Sequence, residues 1–477
     1  MTEDALAIVD QAILAVDPYS AIRNHLAVDE NGEKLIVGGG SPREYYMKDF
    51  DDIVVVAFGK ASAAMATAVV QQLQRNEEKG QESEGGNTVI QGIVIVKDNH
   101  GTQEEREYLE SNGILFREAS HPVPDVRSAE AAEEIMQIIS RTANSRTLAI
   151  CCISGGGSAL FCLPQNPLSM DDLQATSQVL LASGLSIQDM NVIRKRLEDG
   201  KGGRLAAAAY PSTVLSLVLS DVLGDPLDLI ASGPTVPDTS NFVDAWQLVK
   251  KNGLETKLPE SVIQLLKDGL DGKVPDSPSE EHPIFQGSKC ETVVVGNNEL
   301  AVVSAAAEAQ RRGYNTKVIG TRVEGEAKHA ATFYAAMAQH LGLQQGHSSV
   351  PYSLVELPAA LIAGGETIVT IPSDSIGKGG RNQELALAAA LKFQQLGLRD
   401  VVLASVGTDG TDGPTDAAGA IVDGASVARL KGDAEDALLR HDAYTYLNQS
   451  EDDGHSPLVK TGATGTNVAD VCVLLLK

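Results

Sequence analysis

Three aspartates, Asp409, Asp412 and Asp416, crowd into SVGTDGTDGPTDAAG (405–419), directly after an apolar run. Like charges this close are tolerated at a solvated surface or around a cation. Their spacing does not fit an EF-hand loop, whereas oxygen ligands beside phosphate suit Mg²⁺, which keeps several of its waters. Cationic groups stand elsewhere in the chain. AFGKAS sets Lys60 straight after an apolar stretch and at the opening of an Ala-rich one. This is no Walker A loop, because the first glycine is missing and Ala61 occupies the hydroxyl position. Lys60 is either an exposed strand-end lysine or a cation aimed at a carboxylate or a transferred phosphoryl group.

CISGGGSAL places Ser154, Gly155, Gly156, Gly157 and Ser158 between a strand and a helix start. Consecutive glycines expose backbone N–H groups and let an anion approach closely, while Ser158 is also a candidate helix cap. The stretch departs from the GxSxG pattern of a nucleophile elbow. NVIRKRLEDGKGGRLA concentrates positive charge, and Asn191, Arg194 and Lys195 fall on one helical face, as a binding edge or a solvated basic surface. LSDVLGDP brings Asp221 to a strand exit, as a ligand-facing carboxylate or a helix cap. GKGGRNQEL sets Arg381 ahead of a helix whose first turn contains Glu384. His121 in HPVP and His455 have no partners at metal-ligand spacing. Glycine nests, isolated cations and grouped carboxylates are together what phosphoryl transfer requires, since it is catalysed by positioning and charge stabilisation.

Alternating elements must position these groups. DDIVVVAFGK, NTVIQGIVIVK, RTLAICCIS and STVLSLVLSD read as buried strands, with helical stretches such as RSAEAAEEIMQIISRT between them. Continuously apolar strands alternating with helices predict a parallel sheet covered on both faces, hence an α/β fold. Residues 258–288 become polar and Pro-rich, and a second α/β alternation follows, ending in ADVCVLLL and carrying a hairpin near 361–371. The domains expected are 1–285 and 286–477. Asp171 or Ser169 is placed to cap a helix that ends near Gly184, and periodicity predicts an N-terminal helix over 3–16.

The 477 residues carry 64 acidic and 38 basic side chains, a formal net charge of -26. That field, without a basic run to offset it, argues against nucleic acid and anionic membranes as partners. Five cysteines without a CxxC pair read as buried thiols of a reducing compartment. The N-terminal stretch lacks signal-peptide character, so a soluble cytoplasmic protein is expected, as monomer or homodimer.

The chain resembles the class II glycerate kinases, the glycerate 2-kinase or MOFRL family, over nearly its whole length. The resemblance rests on VVAFGKAS (55–62), HPVPD (121–125), ISGGGSAL (153–160), NVIRKRL (191–197), SDVLGDPLDLIASGPTVPD (220–238), GGETIV (364–369), GKGGRNQELAL (377–387), VGTDGTDGPTDAAG (406–419) and TGATGTNVAD (461–470), in that order. It implies ATP- and Mg²⁺-dependent phosphorylation of D-glycerate to 2-phosphoglycerate. It also implies a Rossmann-like three-layer N-terminal domain, a smaller C-terminal α/β domain and an active site in the cleft between them. The family's functional lysine falls on Lys60 and its GGRNQE arginine on Arg381. Alongside them, Asp221 and Asp409 are expected to activate the acceptor hydroxyl or, with Asp416, to hold Mg²⁺. Ser154–Ser158, Asn191, Arg194, Lys195, Glu384, Asp412, Thr464 and Asn467 are expected to contact substrate or nucleotide. Ala463 stands where similar proteins have proline, which affects loop stiffness more than chemistry. The rivals are a hydroxypyruvate-reducing oxidoreductase, disfavoured by the lack of a GxGxxG fingerprint, and a non-catalytic metabolite-binding module.

Overall fold

The structure, a computed structural model, describes residues 1–38, 42–74, 89–343, 355–372, 377–449 and 456–477. His455 lies outside them. Strand Thr147–Ile153 is buried at every position. Successive side chains point to opposite faces, so both faces of its sheet are covered, as continuous apolar runs demand. The order across this sheet is Ile114–Ala119, Val89–Lys97, Asp52–Phe58, Thr147–Ile153, Thr213–Leu219, Cys290–Gly296. Its first five strands pair in parallel. In chain order this is the doubly wound 3-2-1-4-5-6 arrangement, whose order reverses between Asp52–Phe58 and Thr147–Ile153; ligands bind beyond strand ends at such a reversal. A small antiparallel sheet, Leu26–Val28, Lys34–Val37 and Arg43–Tyr46, is separate from it.

The second sheet runs Asn315–Val323, Ala359–Gly365, Asp470–Leu476, Val401–Gly407, Gly419–Asp423, Leu458–Val459. It is mixed. Only the first pair is parallel; the C-terminal strand Asp470–Leu476 inserts antiparallel between Ala359–Gly365 and Val401–Gly407. The hairpin expected near 361–371 is absent there, where Ile368 makes only an isolated bridge to Glu326. The antiparallel pair joined through one loop is instead Val401–Gly407 with Gly419–Asp423, and that loop carries the aspartate cluster.

The chain folds into two compact units, Pro18–Ser220 with Asp225–Val295, and Met1–Asp17 with Asp221–Gly224 and Gly296–Lys477. This differs from an expected boundary at 285/286, for two physical reasons. Cys290–Gly296 is the outer strand of the first sheet, begun by Val214 donating to the Lys289 carbonyl (2.7 Å). The N-terminal helix Thr2–Ala15 packs on Asn298–Arg311, with Asp4 accepting from Tyr314 Oη (2.8 Å) and Arg312 Nη1 (2.9 Å). Ser169 rather than Asp171 caps helix Met170–Ala182, in a reciprocal pair with Asp172. All five cysteines are free thiols; burial pushes Cys152 up to about 12. Among the described residues no single helix is long and apolar enough to cross a membrane.

Candidate active site

In the Pro18–Val295 unit, the strand-order reversal sets the Gly59–Lys60 turn beside the Ser154–Gly157 loop. Lys60 N–H donates to the Gly155 carbonyl (2.9 Å), and Ala61 N–H donates to Ser154 Oγ (3.1 Å). Ser154, buried, therefore fastens the two strand tips rather than facing a ligand. Gly59 has φ +131°, and a Cβ there would lie 2.1 Å from Ser154 Oγ, so no other residue fits this turn. Of the loop amides, Ser154 donates to Phe58 and Gly157 to Ser154. Those of Gly155, Gly156 and Ser158 have no partner among the described residues, so the expected anion nest shrinks to three amides.

Three further residues gather at the same sheet edge. Lys97 ends the neighbouring strand, His100 follows it, and His121 follows Ile114–Ala119. Gly156 (φ +81°) keeps the space between them open: a Cβ there would sit 2.9 Å from His121 Nε2 and 3.5 Å from Lys60 Cγ. Burial, then the charges of Lys60, Lys97 and His100, hold His121 down at about 4. His100 is lowered by burial and by Lys97, and its Nδ1 is buried without a partner. Neither Lys60 nor Lys97 has a carboxylate within ion-pair distance among the described residues. His121 lies in the quoted HPVPD motif; its neighbours Lys97 and His100 belong to no motif, and only the parallel strand order brings them beside it.

The basic segment behaves differently. Ser232 Oγ donates to Asn191 Oδ1 (3.1 Å) and lies 3.3 Å from Ser158 Oγ, knitting those residues together. Lys195 is buried 3.5 Å from Asp238 and 3.6 Å from Asp228. Arg196, with no exposed surface, pairs with Asp238 and with Asp276 (2.9 Å). Lys201 holds Glu198 (2.6 Å) and the Ser158 carbonyl (2.8 Å). Lys195, expected to meet substrate, is thus neutralised by carboxylates; Arg194 alone of the expected set is half-exposed without an ion pair among the described residues.

The Gly296–Lys477 unit builds its site from strand register. Asp470 is the cross-strand partner of both Gly365 and Gly407, so Glu366, Asp409 and Asp470 arrive at one edge. Arg381, at the start of helix Arg381–Leu396, grips Asp470 through Nε (2.6 Å) and Nη2 (2.9 Å) and reaches Glu366 through Nη1 (3.0 Å). Burial pushes Asp470 up, against the Arg381 guanidinium that holds it down. Partial burial, with the like charges of Asp470, Asp221 and Asp409, likewise raises Glu366. Residue type singles out neither Asp470 nor Glu366, because each needs the register to show that it meets Arg381.

Several expected ligands lie within the wall of this site. Asp412 is buried and accepts from Asn382 N–H (3.1 Å) and Gln383 N–H (2.8 Å), bonding the first amides of the arginine helix. Glu384 is buried against His441 (2.8 Å). Thr464 Oγ1 donates to the Thr408 carbonyl (2.6 Å), and Asn467 Oδ1 accepts from Ala469 N–H (3.2 Å), so both shape the polar turn. Asp416 is exposed, bonded to Tyr444 and Lys460 (3.0 Å), and does not join Asp221 and Asp409. No group of three or more His, Cys, Asp or Glu side chains among the described residues is placed to hold a metal by itself. Mg²⁺ needs only one or two carboxylates beside phosphate and water. Asp221 and Asp409, whose charges already raise Glu366, fit that need, and Asp416 does not.

Fold and side chains define a doubly wound α/β protein with a cationic strand-tip cluster in one unit and a carboxylate-bound arginine in the other. Residues 4–267 match the family described as a domain of unknown function, DUF4147, and residues 359–470 match the MOFRL family. A glycerate 2-kinase of Pyrococcus horikoshii is 37% identical over 99% of this chain and 97% of its own length. A D-glycerate 2-kinase of Thermotoga maritima is 36% identical over 99% of this chain and 97% of its own. A crystal structure of glycerate kinase from Thermotoga maritima has a TM-score of 0.79 at 34% identity, with 100% of this chain and 99% of that one covered. The chain belongs to the MOFRL-type glycerate kinase family.

Asp238→Ala leaves the buried Arg196 guanidinium short of its main counter-charge, and urea unfolding is expected to show a loss of about 3–5 kcal/mol. Asp412 offers a pH test. Burial pushes its carboxyl from 3.8 to about 6, despite the amides that favour the charged form. The folded state therefore holds the proton more tightly, and this contribution is complete below 3.8 and lost as pH rises through about 6. The stability gap between the native protein and Asp412→Asn should narrow between pH 4 and 7 in urea titrations; a constant gap contradicts the assignment.

Proposed function

We propose that the chain transfers the γ-phosphoryl group of ATP to the 2-hydroxyl of D-glycerate, giving 2-phosphoglycerate and ADP. The observation that carries this reading is the Arg381 cluster, a guanidinium fixed by buried Asp470 with carboxylates Asp221 and Asp409 close enough to perturb Glu366. The glycerate kinase names of full-length relatives support it. The acceptor oxygen bonds to the γ-phosphorus as the bridge to the β-phosphate breaks, and the hydroxyl proton passes to Asp409 or Asp221. Lys60 and Arg381 stabilise the charge on the transferring group. Arg381 reaches it by exchanging partly exposed Glu366 for a phosphoryl oxygen while Asp470 keeps the guanidinium oriented. Mg²⁺ held by Asp221 or Asp409 would neutralise phosphate charge. The strand order also suits a dinucleotide, but the turn after the first strand is closed by Ser154 against Gly59 and lacks the GxGxxG fingerprint.

Lys60→Ala should lower kcat by roughly 10²–10³-fold with little change in nucleotide affinity, as expected for a group stabilising transition-state charge. Native kcat in that variant removes Lys60 from the chemistry. Turnover with D-glycerate should cease on chelation with EDTA and return with Mg²⁺. Phosphorus NMR should show the 2-phosphate ester; the 3-isomer, or NADH oxidation with hydroxypyruvate in its place, rejects this reading.

A further inference from the structure

The strand-tip cluster of the Pro18–Val295 unit has a property that a fixed set of positive charges lacks. Four parallel strands end at this edge, and behind them stand Lys60, Lys97, His100 and His121. The lysines have no carboxylate partners among the described residues. The imidazoles are kept neutral by burial and by those lysines. His121 turns Nε2 and Cδ2 toward the space that Gly156 leaves unfilled, with the Lys60 side chain on the other side of that space. The unpartnered amides of Gly155 and Gly156 adjoin it.

We propose that this space seats the carboxylate of the acceptor, and that His121 binds it through Nε2 as an imidazolium, taking up a proton as the acceptor arrives. An anion between Lys60 and His121 reverses the sign of the local field. The same proximity that disfavours a proton on the empty site then favours one. The groups facing His121 are Lys60 from the first strand turn, Lys97 and His100 from the second, and the Gly155–Gly156 backbone. Among the described residues no facing carboxylate competes with the incoming anion. The two amides that adjoin this space, with a few side chains, match a two-oxygen group better than a nucleotide's run of phosphates, which needs a longer cradle of amides. That the group is a carboxylate rests on the function proposed above. Proton uptake on anion binding does not.

The test follows His121 in the intact chain without ATP, by long-range ¹H–¹⁵N NMR, with its signal assigned by its loss in His121→Gln. D-Glycerate should raise the midpoint of His121 from about 4 to roughly 6, about a hundredfold gain in proton affinity. Inorganic phosphate, tested separately, should move it less. A midpoint unmoved by either anion overturns the proposal. Movement by phosphate alone overturns the carboxylate assignment while leaving the phosphoryl-transfer reading intact. In turnover assays the native KM for glycerate should rise by about tenfold per pH unit between the free midpoint of about 4 and the liganded midpoint of roughly 6, then level off as binding by the lysines alone takes over. His121→Gln and His121→Asn should flatten that rise and weaken KM by about tenfold at pH 5 and by only about twofold at pH 6, with kcat changed far less. A native pH profile in both variants refutes the role of His121, and glycerate binding with proton uptake but no phosphorylation refutes the kinase reading alone.

Discussion

A carboxylate buried as deeply as Asp470 stays charged only beside a fixed counter-charge, and Arg381 provides it through two parallel hydrogen bonds. Much of the Gly296–Lys477 unit follows from that requirement. Asp470 opens the C-terminal strand, so the ion pair ties the last strand to the first residue of helix Arg381–Leu396. Asn382, next in that helix, donates its side-chain amide to the same carboxylate (3.0 Å) and accepts from Ser405 Oγ (2.6 Å). Asp412 then accepts the backbone amides of Asn382 and Gln383. The guanidinium is held by Asp470 and Glu366, and the helix start that carries it by Ser405 and Asp412, so it does not depend on its own flexible stem alone, which limits the reorganisation needed when charge develops near it.

Buried cations and sheet-edge cations are treated in opposite ways. Lys195, Arg196 and Lys201 stand in the same basic segment, and each has a carboxylate partner that removes the cost of isolating its charge. Lys60 and Lys97 have none among the described residues and remain half-exposed at a sheet edge. Uncompensated positive charge is an expense that a structural role does not require, and its position at the reversal of strand order is where an α/β sheet receives ligands. The distinction separates binding cations from packing cations more sharply than local sequence density does.

Sequence pattern exposes the strands, the glycine turns and the order of the motifs, because apolar runs and turn residues act over short distances. Lys60, Arg381 and Asp409 are legible for the same reason: each follows a glycine or a strand end. Asp470 and Glu366 are not, since their meeting depends on a C-terminal strand crossing between two earlier ones. The densest basic run is the least reliable guide, because Asp238 and Asp276, which neutralise Arg196, lie far along the chain. Asp412 misleads in the opposite direction: its spacing from Asp409 suggests a shared cation, whereas folding turns it inward to the helix amides.

The overall charge of -26 sets the last constraint. A protein this acidic repels anionic ligands at long range, yet the Debye length of about 8 Å at physiological ionic strength screens most of that repulsion before contact. At the end of a sheet the nearest charges decide, and there Lys60 and Lys97 are not cancelled. Neutral imidazoles beside them avoid the repulsion that four fixed cations would impose on the empty fold, while leaving charge available when an anion enters. Local arrangement thus reverses the sign of the whole molecule at the edge where an anion is to be received.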